Sequence, residues 1–131
     1  MLDLALHAPP GRLSSTAEIA RRTGAPPKFL EAILGELRRA RLLESRRGAE
    51  GGHRLARPAT GIGAGEIWRA IDGPLALPEG GRRRGAEGPA RALMTLWAEV
   101  EGAVSRVVDQ VTLDELARRA REASGVHDFA I

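Results

Sequence analysis

Four arginines, Arg46, Arg47, Arg54 and Arg57, bracket the glycine-rich stretch Gly48–Gly52 in a segment reading RRGAEGGHRLAR. Ahead of them, Lys28, Phe29, Glu31, Arg38 and Arg39 share the segment PKFLEAILGELRR. Guanidinium groups set around a flexible turn have no nucleophile or base to activate. They suit phosphate, which they bind with paired N–H donors, and each phosphate neutralised on a duplex releases condensed counterions. A carboxylate such as Glu31 can accept from the amino group of cytosine. The chemistry is therefore recognition of a polyanionic duplex. In this reading Lys28, Phe29 and Glu31 meet base edges, and Arg38 and Arg39 extend the same face. Arg46, Arg47, Gly51, Gly52, His53 and Arg54 form a wing against phosphate and the minor groove. A solvated helix face and plain solubility are the competing readings of the same charges.

Other chemistries find little support. The chain has no cysteine, which excludes disulfides, thiolate catalysis and zinc–thiolate or cysteine-ligated iron–sulfur sites. His7, His53 and His127 are scattered, so no metal site and no cofactor are expected. Gly61-x-Gly63-x-Gly65 follows Pro58-Ala59-Thr60 and not a buried strand, which discounts a dinucleotide site. No nucleophile–base pair is visible, and an enzyme is not expected.

Two helices must carry the first group of residues. Ser15-Thr-Ala-Glu18 is a capping box that opens a helix ending at Thr23-Gly24. Pro27 then suits a first helical position. Phe29, Leu30, Ile33, Leu34 and Leu37 recur at helical spacing as the buried stripe. Lys28, Glu31, Ala32, Gly35, Arg38 and Arg39 occupy the other face. Two helices around a short Gly-containing turn have helix-turn-helix spacing. Leu42–Arg46 and His53–Ala56 read as a hairpin with Gly48–Gly52 at its tip.

Further along, Gly61–Ile71 predicts a short helix with Ile62, Ile67, Ala70 and Ile71 inward. Asp72–Pro89 reads as a long loop containing Arg82-Arg83-Arg84, which fits a solvated loop, a DNA backbone contact or a site for an acidic partner. From Pro89 a longer helix carries Leu93, Leu96, Trp97, Val100, Val104, Val107, Val108 and Val111 at about 3.5-residue spacing, which suits pairing with a second subunit. Thr112-Leu-Asp-Glu115 is a second capping box, opening a last helix towards Ser124-Gly125.

With 131 residues the chain is about one domain. No apolar run reaches the roughly 20 residues of a membrane span, and no signal-peptide pattern is present, so a cytoplasmic protein is expected. Residues 1–60 hold 11 Lys/Arg against 6 Asp/Glu, and residues 61–131 hold 9 against 11. The net charge of +3 thus conceals a basic first half joined to a mildly acidic second half. The expected fold is mainly α with a small β-hairpin. A winged helix-turn-helix spans 1–72, with the helix-turn-helix at about 16–39 and the wing at about 42–57. A loop spans 73–89, and a dimerisation helix with a C-terminal helix spans 90–131.

Several of these segments together resemble the Rrf2 family of bacterial transcription regulators. The matching residues are Ala17-Glu-Ile-Ala20, Pro27-Lys-Phe-Leu-Glu31, Leu37-Arg-Arg-Ala-Arg-Leu-Leu43, Arg47-Gly48 and Gly51-Gly52-His53-Arg-Leu-Ala56. Gly65-Glu-Ile67, Ile71-Asp-Gly-Pro-Leu75, Leu96-Trp97 and Val111-Thr-Leu-Asp-Glu-Leu116 continue the match. The resemblance implies a homodimeric, sequence-specific DNA-binding regulator, a repressor, on a palindromic operator of double-stranded DNA. A small-molecule or protein effector would control it. The alternative is a regulatory interaction protein acting through a partner protein.

Three departures accompany the resemblance. The family begins further upstream with a basic helix that touches DNA, so a longer start is expected. The family's wing reads Arg-Gly-Pro-Gly-Gly-Gly-Tyr, whereas Ala49, Glu50 and His53 stand here. Cluster-binding members carry cysteines before the long helix. The matching positions here are Glu79, Gly85 and Arg91, with Met94 at the further ligand site, so iron–sulfur sensing does not carry over.

Overall fold

Local signals set where the helices start. The computed structural model describes residues 1–74 and 87–125. Among these residues, six α-helices and one hairpin run in the order α1 (Leu2–His7), α2 (Thr16–Thr23), α3 (Pro27–Arg39), β1 (Leu43–Arg46), β2 (Gly52–Leu55), α4 (Ala64–Asp72), α5 (Pro89–Gln110) and α6 (Leu113–Ala123). The expected mainly α fold with a small hairpin is what forms. At α2 the Ser15 hydroxyl accepts from the Glu18 N–H at 3.1 Å, and Glu18 Oε2 accepts from the Ser15 N–H at 2.9 Å. That second bond, aided by Arg12, Arg22 and Arg21 and opposed by burial, holds the Glu18 carboxyl below its ordinary range. Gly24 ends α2 in the left-handed region at φ 72°, and Pro27 opens α3.

At α6 only half of the expected capping box forms. The Thr112 hydroxyl accepts from the Glu115 N–H at 3.1 Å, but the Glu115 carboxylate pairs with Arg119. An arginine one turn away is a stronger partner for a carboxylate than a neutral backbone N–H.

Leucines make the core. Leu4, Ile19, Leu30, Leu34, Leu37, Leu42, Leu43, Ile62 and Leu113 form one cluster, and α3 packs against α2, β1 and α4. Phe29 was expected in the buried stripe and is instead 61% exposed. At about 100° per residue it lies roughly 105° off the mean direction of Leu30, Leu34 and Leu37, on the flank of the helix. Ile71, expected inward, is also exposed. It shares the last turn of α4 with Asp72, beyond the part of the helix that Ile67 seats on the core. The helix itself starts at Ala64, later than Gly61, because residues Ala59–Gly61 form a 3-10 turn that delivers Ile62 to full burial.

The hairpin is antiparallel, with Leu43 opposite Leu55 and Arg46 opposite Gly52. On its other edge β2 meets Ser14: the Ser14 N–H donates to His53 O at 2.9 Å, and the His53 N–H donates to Ser14 O at 2.8 Å. The wing is thereby sewn to the residue preceding the cap of α2. Arg82–Arg84, Glu79, Gly85 and the His127-Asp128 tail lie outside the described residues.

Helix α5 packs mainly on α4. Leu93, Leu96, Trp97, Val100 and Val107 stay exposed, Val107 at 65%. Val104, Val108 and Val111 are half-buried. A Val108 methyl lies 3.0 Å from where a Cβ on Gly65 would sit, so this valine faces its own chain.

Truncating Leu34, which is 4% exposed, to alanine should lower unfolding free energy by about 2–5 kcal/mol in urea titration. Phe29→Ala should cost less than about 1 kcal/mol, as an exposed position does. Equal losses would contradict the exposed placement of Phe29.

Candidate nucleic-acid interface

Burying Leu30, Leu34 and Leu37 turns the opposite face of α3 to solvent. Lys28, Glu31, Ala32, Arg38 and Arg39 are all exposed there. Ala32 and Gly35 lie among the charges, and a Cβ on Gly35 would meet only the tip of Arg39. A face with small residues between long ones lets the helix backbone approach another surface closely. Arg38 sits on the flank towards the hairpin, lining a recess with Leu43, Ser45, Arg46 and Arg54.

The arginines divide into two groups. Arg39 pairs with Glu36, Arg57 with Glu66, and Arg54 with Glu44 at 2.8 Å. Among the described residues, Lys28, Arg38, Arg46 and Arg47 have no carboxylate within ion-pair range. The paired arginines are not lost to an anionic ligand. Exposed ion pairs contribute only about 0–1 kcal/mol, so a phosphate can displace the carboxylate.

His53 has a different setting from the one its place in the wing suggests. Its Nε2 lies 3.1 Å from Thr16 Oγ1 and its Nδ1 lies 2.7 Å from Ser45 Oγ. Half-buried and bonded at both nitrogens, it braces the hairpin against the start of α2 and has no free donor for a ligand. Burial first, and the Arg38 charge second, push its pKa below the ordinary 6.5. Ser45 could have been found from the hairpin register, which sets it opposite His53. Thr16 carried no sequence signal for this role.

The glycines of the wing serve the backbone. A Cβ on Gly51 would overlap the carbonyl of Arg46, and one on Gly52, at φ 155°, would lie 2.5 Å from Ser14 O. Both permit close approaches that any side chain would block. Arg46, Arg47 and the tip carboxylate of Glu50 are exposed around them.

Comparison with known proteins adds four likenesses. The profile of the Rrf2 family, described as an iron-dependent transcriptional regulator, matches residues 1–119. A Mycobacterium tuberculosis protein named among the HTH-type transcriptional regulators is 40% identical over 119 residues, 89% of this chain and 73% of that protein. CymR of B. subtilis, described as the global cysteine regulator, superposes with a TM-score of 0.74 at 33% identity, covering 90% of this chain and 87% of that one. IscR of T. potens gives 0.73 at 33% identity, covering 93% and 80%.

The iron in the family's description has no evident place among these side chains. Thiolates are the usual ligands of iron–sulfur clusters, and the chain contains none. Among the described residues no three His, Asp or Glu side chains gather to hold a metal ion. Arg91 lies exposed in the first turn of α5 and Met94 is half-buried one turn later. An arginine repels a cation, so this donor set does not fit the group.

The depressed pKa of His53 has a consequence for stability. The unfolded chain binds a proton to this ring at a higher pH than the folded chain does, so stability rises with pH. The contribution should be complete above the ordinary imidazole range and decline as pH falls through 6.5 towards the lowered folded value. Thermal melts of the protein and of His53→Gln across this window should show a steeper loss for the unmodified chain. Parallel curves would mean the ring is not held as described.

Proposed function

The chain belongs to the Rrf2 family of DNA-binding transcriptional regulators, and on that premise we propose a homodimeric, sequence-specific repressor that reads an imperfect palindrome without an iron–sulfur cluster. One observation carries the reading: the same chain leaves bare a basic face on α3 and a long apolar face on α5. The first fits the major groove, which admits an α-helix with its first residues at the base edges. Lys28, Phe29 and Glu31 would read bases there, and Arg38 and Arg39 would flank them. Arg46, Arg47 and Arg54 would hold phosphates beside the groove, on a wing shaped by Gly51 and Gly52 and braced by His53.

The apolar face answers a different need. Leu93, Leu96, Trp97, Val100 and Val107 are too large and too clustered in sequence for one small chain to leave in water without cost. A second copy covers them, with Val104 and Val111 at the margin, and two heads then meet half-sites separated by whole helical turns. Repression needs no more than occupancy, since a bound dimer excludes polymerase from the same DNA. The protein acts in the cytoplasm by binding and not by catalysis. With no thiol in the chain, a small ligand or a protein partner supplies the signal.

Mobility shift with genomically selected DNA tests this. Arg47→Ala should weaken binding to all sequences alike and reduce the log-affinity against log-salt slope by about one phosphate contact. Glu31→Ala should instead change base preference. Val100→Glu should yield a monomer in sedimentation while keeping helicity. A salt-insensitive protein, monomeric at binding concentrations, would reject the reading in favour of action through a partner protein.

A further inference from the structure

We propose that the Arg69–Asp109 ion pair, seated on Gly65, is a positioning device that sets the angle of α5 on the DNA-reading head, and so the half-site spacing the dimer accepts. The proposal rests on the dimeric reading above and adds which residues set its geometry.

Helix α4 is the connecting piece, packing on α3 on one side and on α5 on the other. At its start, the Ala64 N–H donates to Val111 O at 2.8 Å, and the Leu113 N–H donates to Ile62 O at 2.8 Å. Those two bonds pin the corner between α5 and α6 beside the start of α4. A pinned corner still rotates. Beside it, Arg69 Nη1 donates to Asp109 Oδ1 at 2.6 Å and Nη2 donates to Oδ2 at 2.8 Å. Two parallel bonds between planar groups fix direction as well as distance.

Gly65 makes the approach possible. A Cβ there would overlap Asp109 Oδ1 and lie 2.8 Å from Arg69 Nη1 and 3.0 Å from a Val108 methyl. The glycine is buried although its φ is ordinary, so its small size matters and its backbone freedom does not. Stability does not account for the pair. Its side chains are 37% and 48% exposed, and such pairs add little to folding.

Geometry does account for it. The 22 residues of α5 extend about 33 Å at the helical rise. A rotation of roughly 10° at one end moves the other by about 6 Å, more than the roughly 3.4 Å between base pairs. A loose corner would therefore blur spacing by more than one base pair.

The test uses the full chain, wild type beside Asp109→Asn, Arg69→Gln, their double variant and Gly65→Ala. Affinity is measured on selected palindromes whose half-sites are moved apart or together in single base-pair steps. Sedimentation and melting are recorded for each protein. Wild type should prefer one spacing sharply. Each single variant should lose roughly tenfold at that spacing, part of the gain that linked binding supplies, and lose less at neighbouring spacings, so that the profile flattens. The double variant should be no worse than either single. Gly65→Ala should flatten the profile in the same way by displacing the carboxylate, with dimerisation and melting unchanged. Profiles that weaken in parallel with wild type would overturn the inference, as would variants that melt before they lose spacing preference. Wild type failing to bind any palindrome would overturn the dimeric reading and this inference together.

Discussion

The wing keeps its place because of Ser14. Its backbone exchanges two hydrogen bonds with His53, and its hydroxyl accepts from Arg22 Nη2 at 3.2 Å. Arg22 in turn grips both carboxylate oxygens of Asp3 on α1. Ser14 is 2% exposed, so its own backbone bonds form away from water, where an unpaired partner would be costly. Through one residue, β2, the start of α2 and α1 share a frame. Gly52 is a condition of that frame, since any side chain would collide with the Ser14 carbonyl. A wing joined to the helices only through its own turn could swing. Joined at Ser14, it holds Arg46 and Arg47 at a set distance from the exposed face of α3.

Charge in this chain does two kinds of work, and composition alone does not separate them. Arg22, Arg54, Arg57 and Arg69 reach across elements to carboxylates and fix one element on another. Arg118 and Arg119 pair within α6. Among the described residues, six cations of the first sixty have no carboxylate in range: Arg21, Lys28, Arg38, Arg41, Arg46 and Arg47. Lys28, Arg38, Arg46 and Arg47 belong to α3 and the wing. The basic half of the molecule is a scaffold with a small cationic surface, and that surface adjoins the part of α3 that the core leaves bare.

Much of this was legible because it is local. The capping box at Ser15, the helix stop at Gly24, Pro27 at the start of α3 and the glycine turn of the hairpin each involve residues within a few positions of one another. Their physics is complete at that range. Phe29 was misplaced because it lies at the edge of an apolar arc, where a fraction of a turn decides burial. The second capping box was half right: its hydroxyl had one use, but its carboxylate had a choice, and Arg119 won. His53 read as a wing residue facing outward because its partners, Thr16 and Ser45, come from two other elements. Gly65 stood inside a Gly-x-Gly-x-Gly pattern that suggested, and was denied, a phosphate role. Its actual use, admitting Asp109 against α4, depends on a residue forty-four positions later that no spacing rule identifies.

The junction of α4 and α5 explains why a charged clamp suits this architecture better than more leucine would. Apolar packing stabilises by area and tolerates sliding, because a methyl group finds nearly equal contacts in neighbouring positions. A guanidinium–carboxylate fork has one favourable plane and one favourable distance. At a joint that must transmit geometry along a helix of 22 residues, small angular errors grow with length. The core therefore holds the head together by area, through Leu30, Leu34, Leu37 and their neighbours, and the joint is set by direction, through Arg69 and Asp109. That division leaves Leu93, Leu96, Trp97, Val100 and Val107 of α5 exposed, while the head stays oriented on the joint.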